Sequence, residues 1–486
     1  MAYTRRNTTD GVTVMNKDLY DNLQDGVEEA INHSIGWVNV VNTFNLDNTG
    51  NIDISDKLQD IINKSSDFDT LYFPKGKYLM NKGIKISKPL TLLGDTKIVS
   101  NIPRLGYGST EFITKDTPNI TLIEVSTCKF SIEGICFFSN SSQLITNEEE
   151  SSPINPHFHY ELRHLYENVN AIVCNNNEGL SRFSNIFISN FSGIGFKVPY
   201  YSILDNIVVF SCKVGIDLGV DSILTNSKTW GCEIGLKLQV GGTVSNTRIE
   251  ANSKWGIVCT GTGQYKLNNI TVDQCGYAGL YAETSLSYLI FTGKLSRCCQ
   301  YYFGFTEEDF NSFSNRIESG FSYIYVEDYA SNLDISLLNA NEDNWADGGV
   351  TKSKHYLINS PKGISSSIVK CLPALDFITN TKGKFTFINS IGTYVFTNGD
   401  IYSENGIVTA GHDQKDYLLK VLKGKLYVLD RNTNVYNLLL KPEKGFVITS
   451  TVSNAQQIGW SYGGTWELIG SQPVGSSTIY FYKKIE

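Results

Sequence analysis

The sequence lacks the features that mark several protein classes. It has no apolar run of about 18 residues or more, so it offers no membrane-spanning helix. Charged residues make up only 19% of the chain and the net charge is −8, which argues against a nucleic-acid partner because such a partner requires a basic face. The ten cysteines lack the paired spacings of metal sites, so we interpret them as reduced, mostly buried thiols. We expect no cofactor, no resident metal and no contact with a membrane.

A secretion signal is also missing from the first residues, which read MAYTRRN and contain no apolar core. We therefore expect synthesis in a cytoplasm without a signal peptide. What the chain does have is aromatic residues, 12% of the total with 27 Tyr and 25 Phe, in a length of 486 residues. This balance favours an all-β protein of several structural units.

Residues 178–286 contain one pattern five times. The copies align on asparagines separated by 21, 20, 20 and 23 residues, which are the differences between the numbers of Asn185, Asn206, Asn226, Asn246 and Asn269. Apolar residues recur two before and three after each asparagine, and a glycine that opens another strand follows about ten residues later, at Gly195, Gly215, Gly235, Gly256 and Gly279. A repeat of this length predicts a solenoid, and the short strands without a Leu-rich signature favour a parallel β-helix with three strands per coil.

The asparagine suits a sharp bend between two inward-pointing residues, because Asn tolerates the left-handed backbone conformation. Stacked coils would place these amides in a hydrogen-bonded ladder. The recurring Cys212, Cys232 and Cys275 are interpreted in the same way, as small residues that fill a corner of the interior.

Two outward columns follow from the same alignment. Two residues after the asparagine stand Phe187, Val208, Lys228, Arg248 and Thr271, and four after it stand Ser189, Phe210, Trp230, Glu250 and Asp273. Adjacent coils lie about 4.8 Å apart, so these columns form one patch. We expect Phe210, Lys228, Trp230 and Arg248 to bind substrate, and Glu250 to act as acid/base with Asp273 as its partner.

Such a patch has the parts of a glycan-cleaving groove: a ring for a sugar face, cations for an anionic substituent and two carboxylates for proton transfer. Backbones one coil apart bring the carboxyl groups to about 5 to 6 Å, near the separation in retaining glycosidases, and other side-chain rotamers widen it to the range of inverting enzymes. The alternative is a solvated exterior on which charges of opposite sign pair across coils. A further coil with Gly293 at the asparagine position would place Arg297 beside Asp273.

The other segments suggest four domains. Residues 1–36 contain a narrow amphipathic helix, interpreted as an oligomerisation neck, most simply of a trimer, or as a helix packed on the end of its own β-helix. Residues 37–305 form the β-helix, which a helix beginning at Ser55 and the following strands cap. Residues 306–381 form a β-rich connecting module, and residues 382–486 a β-sandwich-like domain.

An insertion of about 40 residues precedes Glu178 and carries His157, His159, Glu161 and His164. The His-x-His spacing on a strand allows a metal site, and the alternative is a surface loop packed on the helix wall or on a neighbouring subunit.

The order of cap helix, LYFPKGKYLM, ISKPLTLLGD and the asparagine coils resembles the pectate-lyase-like right-handed β-helices, in particular bacteriophage tailspikes, preneck appendages and depolymerases. The segment MNKDLYDNLQDGVEEA is similar to neck segments of phage structural proteins. The resemblance covers roughly residues 14 to 305 and implies fold more strongly than chemistry.

The resemblance implies a homotrimeric virion protein that attaches to the phage tail or baseplate through its N-terminus and acts outside the cell. Its expected activity is hydrolysis of a bacterial surface polysaccharide: capsule, exopolysaccharide or wall polymer. Two alternatives stay open: a non-catalytic surface-glycan adhesin, and a teichoic-acid phosphodiesterase in which Lys228 and Arg248 hold phosphate and the histidine insertion holds a metal. Calcium-assisted elimination is less favoured, because no cluster of three carboxylates accompanies the arginine.

Overall fold

The structure is a computed structural model, and it describes residues 37–96, 109–127, 129–147, 159–175, 181–296, 298, 322–339, 356–371, 378–388, 393–397, 400–403, 406–408, 417–422, 425–430, 435–438, 447–450, 466–474 and 477–485. The predicted N-terminal helix lies outside these ranges. Within them, no helix has the length and apolar character needed to cross a bilayer.

Strands dominate the described chain, and the two helices lie near its start: α1 Val40–Phe44 and α2 Ser55–Lys64. The strands before the repeats are β1 Trp37–Asn39, β2 Thr49–Asp53, β3 Thr70–Phe73, β4 Gly76–Leu79, β5 Ile84–Ile86, β6 Thr91–Gly94, β7 Thr110–Ile113, β8 Thr121–Val125, β9 Ser131–Glu133, β10 Cys136–Phe138, β11 Ser142–Asn147, β12 His159–His164 and β13 Asn170–Cys174.

The repeats supply the next group of strands: β14 Arg182–Ser189, β15 Ile194–Lys197, β16 Ile203–Phe210, β17 Val214–Leu218, β18 Ile223–Thr225, β19 Lys228–Trp230, β20 Ile234–Leu238, β21 Thr243–Ser245, β22 Arg248–Glu250, β23 Trp255–Cys259, β24 Gly263–Asp273, β25 Ala278–Ala282 and β26 Leu286–Ser296.

The last group comprises β27 Ser322–Val326, β28 Ala330–Ser331, β29 Leu333–Asn339, β30 Tyr356–Cys371, β31 Ile378–Ile388, β32 Thr393–Thr397, β33 Asp400–Ser403, β34 Gly406–Val408, β35 Tyr417–Leu422, β36 Lys425–Asp430, β37 Val435–Leu438, β38 Val447–Ser450, β39 Trp466–Val474 and β40 Ser477–Lys484.

Three parallel ladders run along the molecule. The first ladder contains β1, β3, β6, β9 and the N-terminal halves of β14 and β16, and it continues through β18 and β21. The second contains β2, β4, β7, β10, the C-terminal halves of β14 and β16, then β19, β22 and the end of β24. The third contains β5, β8, β13, β15, β17, β20, β23 and β25. The predicted parallel β-helix with three strands per coil is confirmed.

The repeated asparagines stand at the bend between the first and second ladders. All five adopt the left-handed conformation, with φ between 50° and 56°. Their amides form the expected ladder: Asn206 donates to Asn185, Asn246 to Asn226 and Asn269 to Asn246, over 2.8, 3.3 and 2.9 Å. One rung differs, because Asn226 Nδ2 donates to the Asp205 carboxylate, at 2.8 Å. The amides therefore stabilise the bend and set the register of the coils.

The corner between the second and third ladders is packed too tightly for larger residues. A Cβ on Gly215 would lie 2.4 Å from the carbonyl oxygen of Gly235. A Cβ on any other glycine of the column would also lie close to atoms of the next coil. Cys212, Cys232 and Cys275 are fully buried beside them, as expected. Asn252 takes the cysteine position in the one intervening coil, where its Oδ1 accepts from the Cys232 backbone N–H at 3.2 Å.

The N-terminal end of the solenoid is covered by α2, which begins at Ser55 as the sequence predicts. Leu58, Ile61 and Ile62 lie on its buried face and join the continuous core. The Asp53 carboxylate accepts from the backbone N–H and the hydroxyl of Ser55, at 2.9 and 2.6 Å, which satisfies one backbone donor of the first turn. The helix thus shields the apolar interior from water.

Parallel pairing extends past residue 305, the predicted end of the β-helix. Strands β27, β29 and β30 continue the ladders from β25 and β26, and β31 pairs in parallel with β30. From β32 onward the pairing among the described strands is antiparallel, in β31–β34, β35–β37 and β38–β40. The C-terminal β-sandwich and the division into four domains stay predictions.

The insertion before Glu178 is shorter and more regular than expected. Strands β11 and β12 form an antiparallel hairpin, with Ser142 opposite His164 and Asn147 opposite His159. The next strand, β13, already belongs to the third ladder. The hairpin therefore projects from one turn of the solenoid.

Candidate functional site

The second ladder carries the six residues that the sequence proposes as a site. Its register pairs Val208 with Lys228, Lys228 with Arg248 and Arg248 with Thr271. In the neighbouring column, the same strands pair Phe210 with Trp230, Trp230 with Glu250 and Glu250 with Asp273. The structure thus brings all six side chains to one face, in the predicted columns, and their roles stay predictions.

The Glu250 carboxylate is held by two cations. Lys228 Nζ lies 2.9 Å from its Oε2, and Arg248 Nη2 contacts its Oε1. The Glu250 side chain is 13% exposed and that of Lys228 14%, whereas Arg248 is 55% exposed. Partial burial strengthens both ion pairs relative to pairs on an open surface, because water screens the charges less.

Asp273 lies one coil beyond Glu250 and is buried. Ser296 Oγ donates a hydrogen bond of 2.8 Å to its Oδ1. Ser296 is also its partner in the next strand, because Gly293 pairs with Ile270 rather than standing at the asparagine position. The expected placement of Arg297 beside Asp273 in the outward column is therefore wrong by one residue, and Arg297 itself lies outside the described residues.

The two aromatic side chains of the site pack on each other. The ring centroids of Phe210 and Trp230 lie 4.8 Å apart, at an interplanar angle of 38°, and Lys228 Nζ lies 5.5 Å from the centre of the Trp230 ring. Phe210 also packs against a small apolar cluster outside the main core, composed of Cys136, Phe187 and Val208. Both rings are half-buried, so they offer a sugar less aromatic surface than two fully exposed rings would.

Sequence reasoning missed a second charged cluster, at the corner beside this patch. His164 of the β11–β12 hairpin places Nε2 3.0 Å from Glu233 Oε1, and Lys254 Nζ lies 2.8 Å from Glu233 Oε2. Burial raises the pKa of the Glu233 carboxyl, but hydrogen bonds from His164 and Lys254 outweigh it and lower that pKa to about 2. Glu233 and Lys254 occupy the same position on adjacent coils, which the repeat alignment could have shown.

The histidine cluster proposed for a metal is not brought together as a described site. His157 lies outside the described residues, and the side chains of His159 and Glu161 do too. His164 contacts Glu233 instead, so the ring anchors the hairpin to a coil of the central repeats. The metal hypothesis stays a prediction.

Comparison with known proteins agrees with the fold. Residues 37–237 match a family model described as rhamnogalacturonase A/epimerase, pectate lyase-like, which confirms the resemblance to pectate-lyase-like β-helices over that part of the chain. No curated protein sequence matches this chain.

Solved structures similar to this one include several phage proteins. ORF18 of Geobacillus virus E2 shares 11% identity with a TM-score of 0.47, over 92% of this chain and 76% of that one. Tailspike protein 2 of bacteriophage CBA120 shares 14% identity with a TM-score of 0.47, over 84% and 61%. The adhesin PfbA of Streptococcus pneumoniae shares 11% with a TM-score of 0.38, over 72% and 96%.

Proposed function

We propose that this protein binds a bacterial surface polysaccharide and hydrolyses it at the second ladder. The pectate-lyase-like match over residues 37–237 supports a polysaccharide-binding or polysaccharide-depolymerising protein. The observation that carries the catalytic part is the pairing of Glu250 with Asp273 on adjacent coils, with two cations and an aromatic ring beside them.

Glu250 is proposed as the general base. Lys228 and Arg248 hold its side chain in the resting site, and an anionic substituent of the substrate that engaged these cations would free it to accept a proton from water. The water oxygen then forms a bond to the anomeric carbon while the bond from that carbon to the leaving oxygen breaks.

Asp273 is proposed as the partner that protonates the leaving oxygen. Its carboxyl group is buried one coil from Glu250, and the Ser296 hydroxyl donates a hydrogen bond to its Oδ1, which fixes the position of the side chain. Proton balance is kept because Glu250 gains the proton that the water loses and Asp273 supplies the one that the leaving group gains.

One observation favours a second candidate, a glycan adhesin without catalysis. The Glu250 carboxylate is already neutralised by two cations, and Trp230 is partly covered by Phe210, so the patch is stable without substrate. An adhesin would use the same outward columns for binding only.

The resemblance to phage tail proteins suggests the biological setting. We propose a virion component, most simply a homotrimer, that attaches to the tail or baseplate through residues 1–36 and meets the polymer outside the host cell. Size-exclusion chromatography with light scattering would test the trimer, since a monomer at micromolar concentration contradicts it.

The function is tested by release of reducing ends and soluble fragments from purified capsular polysaccharide, exopolysaccharide and teichoic acid. Wild type should cleave one of them, and Glu250→Gln and Asp273→Asn should each lose at least about a hundredfold in rate. Glu133→Gln, at an exposed residue of β9, is the matched control and should keep full activity. Binding without cleavage by wild type would leave the adhesin, and phosphate-ester products from teichoic acid would favour the phosphodiesterase.

A further inference from the structure

The outward columns of the second ladder extend past the two aromatic rings of the proposed site, toward the N-terminus. One coil before Phe210 the same column holds Ser189, and one coil before that it holds Phe138. Phe138 is half-buried, as the two rings of the proposed site are, and it lies four coils from Glu250. Adjacent coils are about 4.8 Å apart, so the backbone of Phe138 lies about 19 Å from that of Glu250 along the solenoid axis.

The ring of Phe138 rests on a buried apolar cluster. Its centroid lies 5.5 Å from that of Phe187, at an interplanar angle of 51°. Phe138 and Phe210 both pack on the cluster of Cys136, Phe187 and Val208, which lies outside the main core and is almost inaccessible to solvent. The two half-buried rings are therefore the part of this apolar group that solvent, and hence a ligand, can reach.

The charge of this face changes along the ladder. The outward positions of the three coils from Phe138 to Phe210 are all uncharged, and they are occupied by Cys136, Phe138, Phe187, Ser189, Val208 and Phe210. The next two coils carry the cations Lys228 and Arg248. On the other side, the coil before Cys136 presents the buried acidic residue Glu111. An anionic group of a ligand is thus attracted to the two cations and meets no cation at the outward positions of the three coils before them, where burial of a charge against apolar rings is costly.

The β11–β12 hairpin bounds the uncharged face on one side. It leaves the solenoid directly after the strand that ends at Phe138. At its base, the Ser142 N–H donates to the Asn190 carbonyl oxygen at 3.0 Å, and His164 Nε2 lies 3.0 Å from Glu233 Oε1. Since Asn190 follows the end of β14 and Glu233 follows the end of β19, the base of the hairpin spans two coils along the edge of the ladder. The uncharged face is therefore the floor of a groove that has the hairpin as a wall.

We propose that this groove binds neutral sugars of the polymer, and that the polymer carries an anionic group on the unit that reaches Lys228 and Arg248. The substrate class is then a heteropolysaccharide in which neutral sugars separate the acidic ones. Phe138 and Phe210 each offer part of an aromatic ring to the apolar C–H face of a sugar. A polyuronate or a poly(glycerol phosphate) has a charge on every unit, so it would place charges against these rings and fits less well. Phe138 takes this role only if the second ladder binds a polysaccharide, as proposed above, and takes it whether or not the polymer is cut.

The groove is tested by calorimetric titration of full-length protein with purified capsular polysaccharide, exopolysaccharide and teichoic acid. For the polymer that wild type binds, Phe138→Ala should weaken binding by about tenfold, because one stacking surface is lost. Phe138→Leu keeps an apolar side chain on Phe187 but has no flat face, and it should weaken binding about as much. Phe68→Ala, at a phenylalanine that is 66% exposed and follows α2, is the matched control and should stay within about twofold.

Phe138→Lys tests the charge of the sugar that lies in the groove. It should weaken binding as the alanine variant does, because a neutral sugar gains no ion pair from an ammonium group. Tighter binding by Phe138→Lys would show that an anionic group lies there, which overturns the proposal. Chemical analysis of the bound polymer gives a second readout: neutral sugars should outnumber acidic groups, and a polymer with a charge on every unit contradicts the substrate class.

The outcomes distinguish failure of the groove from failure of the proposed function. If wild type binds none of the polymers, both are wrong. If wild type binds one and Phe138→Ala and Phe138→Leu bind it equally well, only the groove is wrong. If wild type also cleaves the polymer, Phe138→Ala should raise KM by about tenfold and keep kcat within about twofold, because Phe138 lies four coils from Glu250. A loss in kcat with an unchanged KM would contradict a role in binding.

Discussion

Lys228 Nζ lies 2.9 Å from Glu250 Oε2, one coil further along the second ladder. Each side chain is only about one-seventh exposed, at 14% and 13%, so water screens the pair poorly. The same ammonium group lies 5.5 Å from the centre of the Trp230 ring. Lys228 therefore connects the aromatic and acidic parts of the patch, and its loss should affect both.

Replacing Lys228 by methionine should lower the free energy of unfolding by about 1 to 3 kcal/mol, because Glu250 loses one of two cations in a half-buried place. Urea denaturation monitored by circular dichroism measures the change. Lys213→Met, at an exposed lysine, is the control and should stay within about 0.5 kcal/mol. Equal values for the two variants would show that the pair contributes nothing to stability.

Asn246 tests the contribution of the amide ladder. Its backbone has φ of 50°, and its side chain both donates to Asn226 and accepts from Asn269. Asn246→Ala should cost about 2 to 3 kcal/mol, since alanine is strained in this conformation and both hydrogen bonds are lost. Asn246→Gly removes the amide without the strain and should cost about 1 kcal/mol less. A glycine variant as unstable as the alanine variant would argue against backbone strain.

The glycine corner should not accept a methyl group. In Gly215→Ala the new Cβ would meet the Gly235 carbonyl oxygen at 2.4 Å, and this oxygen belongs to the backbone of the next coil, which cannot move away easily. We expect a loss of about 3 kcal/mol or failure to fold. Gly242→Ala, where the nearest atom is 3.2 Å away, should cost clearly less. The thermal unfolding temperatures of the two variants, measured side by side, test this difference in stability.

Glu233 should make stability depend on acid pH. Its pKa is lowered from 4.5 to about 2 in the folded protein, so its stabilisation is fully present above pH 4.5 and is lost as the pH falls toward 2. The difference in unfolding free energy between wild type and Glu233→Gln should therefore be largest at neutral pH and shrink on acidification. A constant difference across this range would mean that the pairing with His164 and Lys254 does not shift the titration.

The asparagine alignment predicted the coil, the bend and the outward columns, because a solenoid repeats one local geometry and side-chain direction follows from period two. Phe210, Trp230, Glu250 and Asp273 are aligned in the structure as they are in that alignment. At its last coil the alignment is wrong by one residue. Between β24 and β26 the register shifts near Leu267, so Ser296 rather than Arg297 faces Asp273.

Contacts that depend on rotamers or on distant segments could not be found in this way. The repeat alignment predicts that Glu250 lies beside Lys228 and Arg248. It does not show that both cations pair with the same carboxylate. Nothing local in the sequence shows that His164 reaches Glu233, since the hairpin can lie on any face. Beyond residue 305 the coils lengthen, as in the pairing of Leu289 with Leu333, and a fixed period no longer reveals them.

The central claim is that the carboxylates of the second ladder cut the polymer that the protein binds. The direct measurement is the initial rate of reducing-end release by Glu250→Gln and Glu133→Gln on the polysaccharide that wild type cleaves, with binding measured in parallel. The account predicts that Glu250→Gln binds the polymer but does not cut it, while Glu133→Gln does both. Full cleavage by Glu250→Gln would contradict it and place the reaction elsewhere on the solenoid.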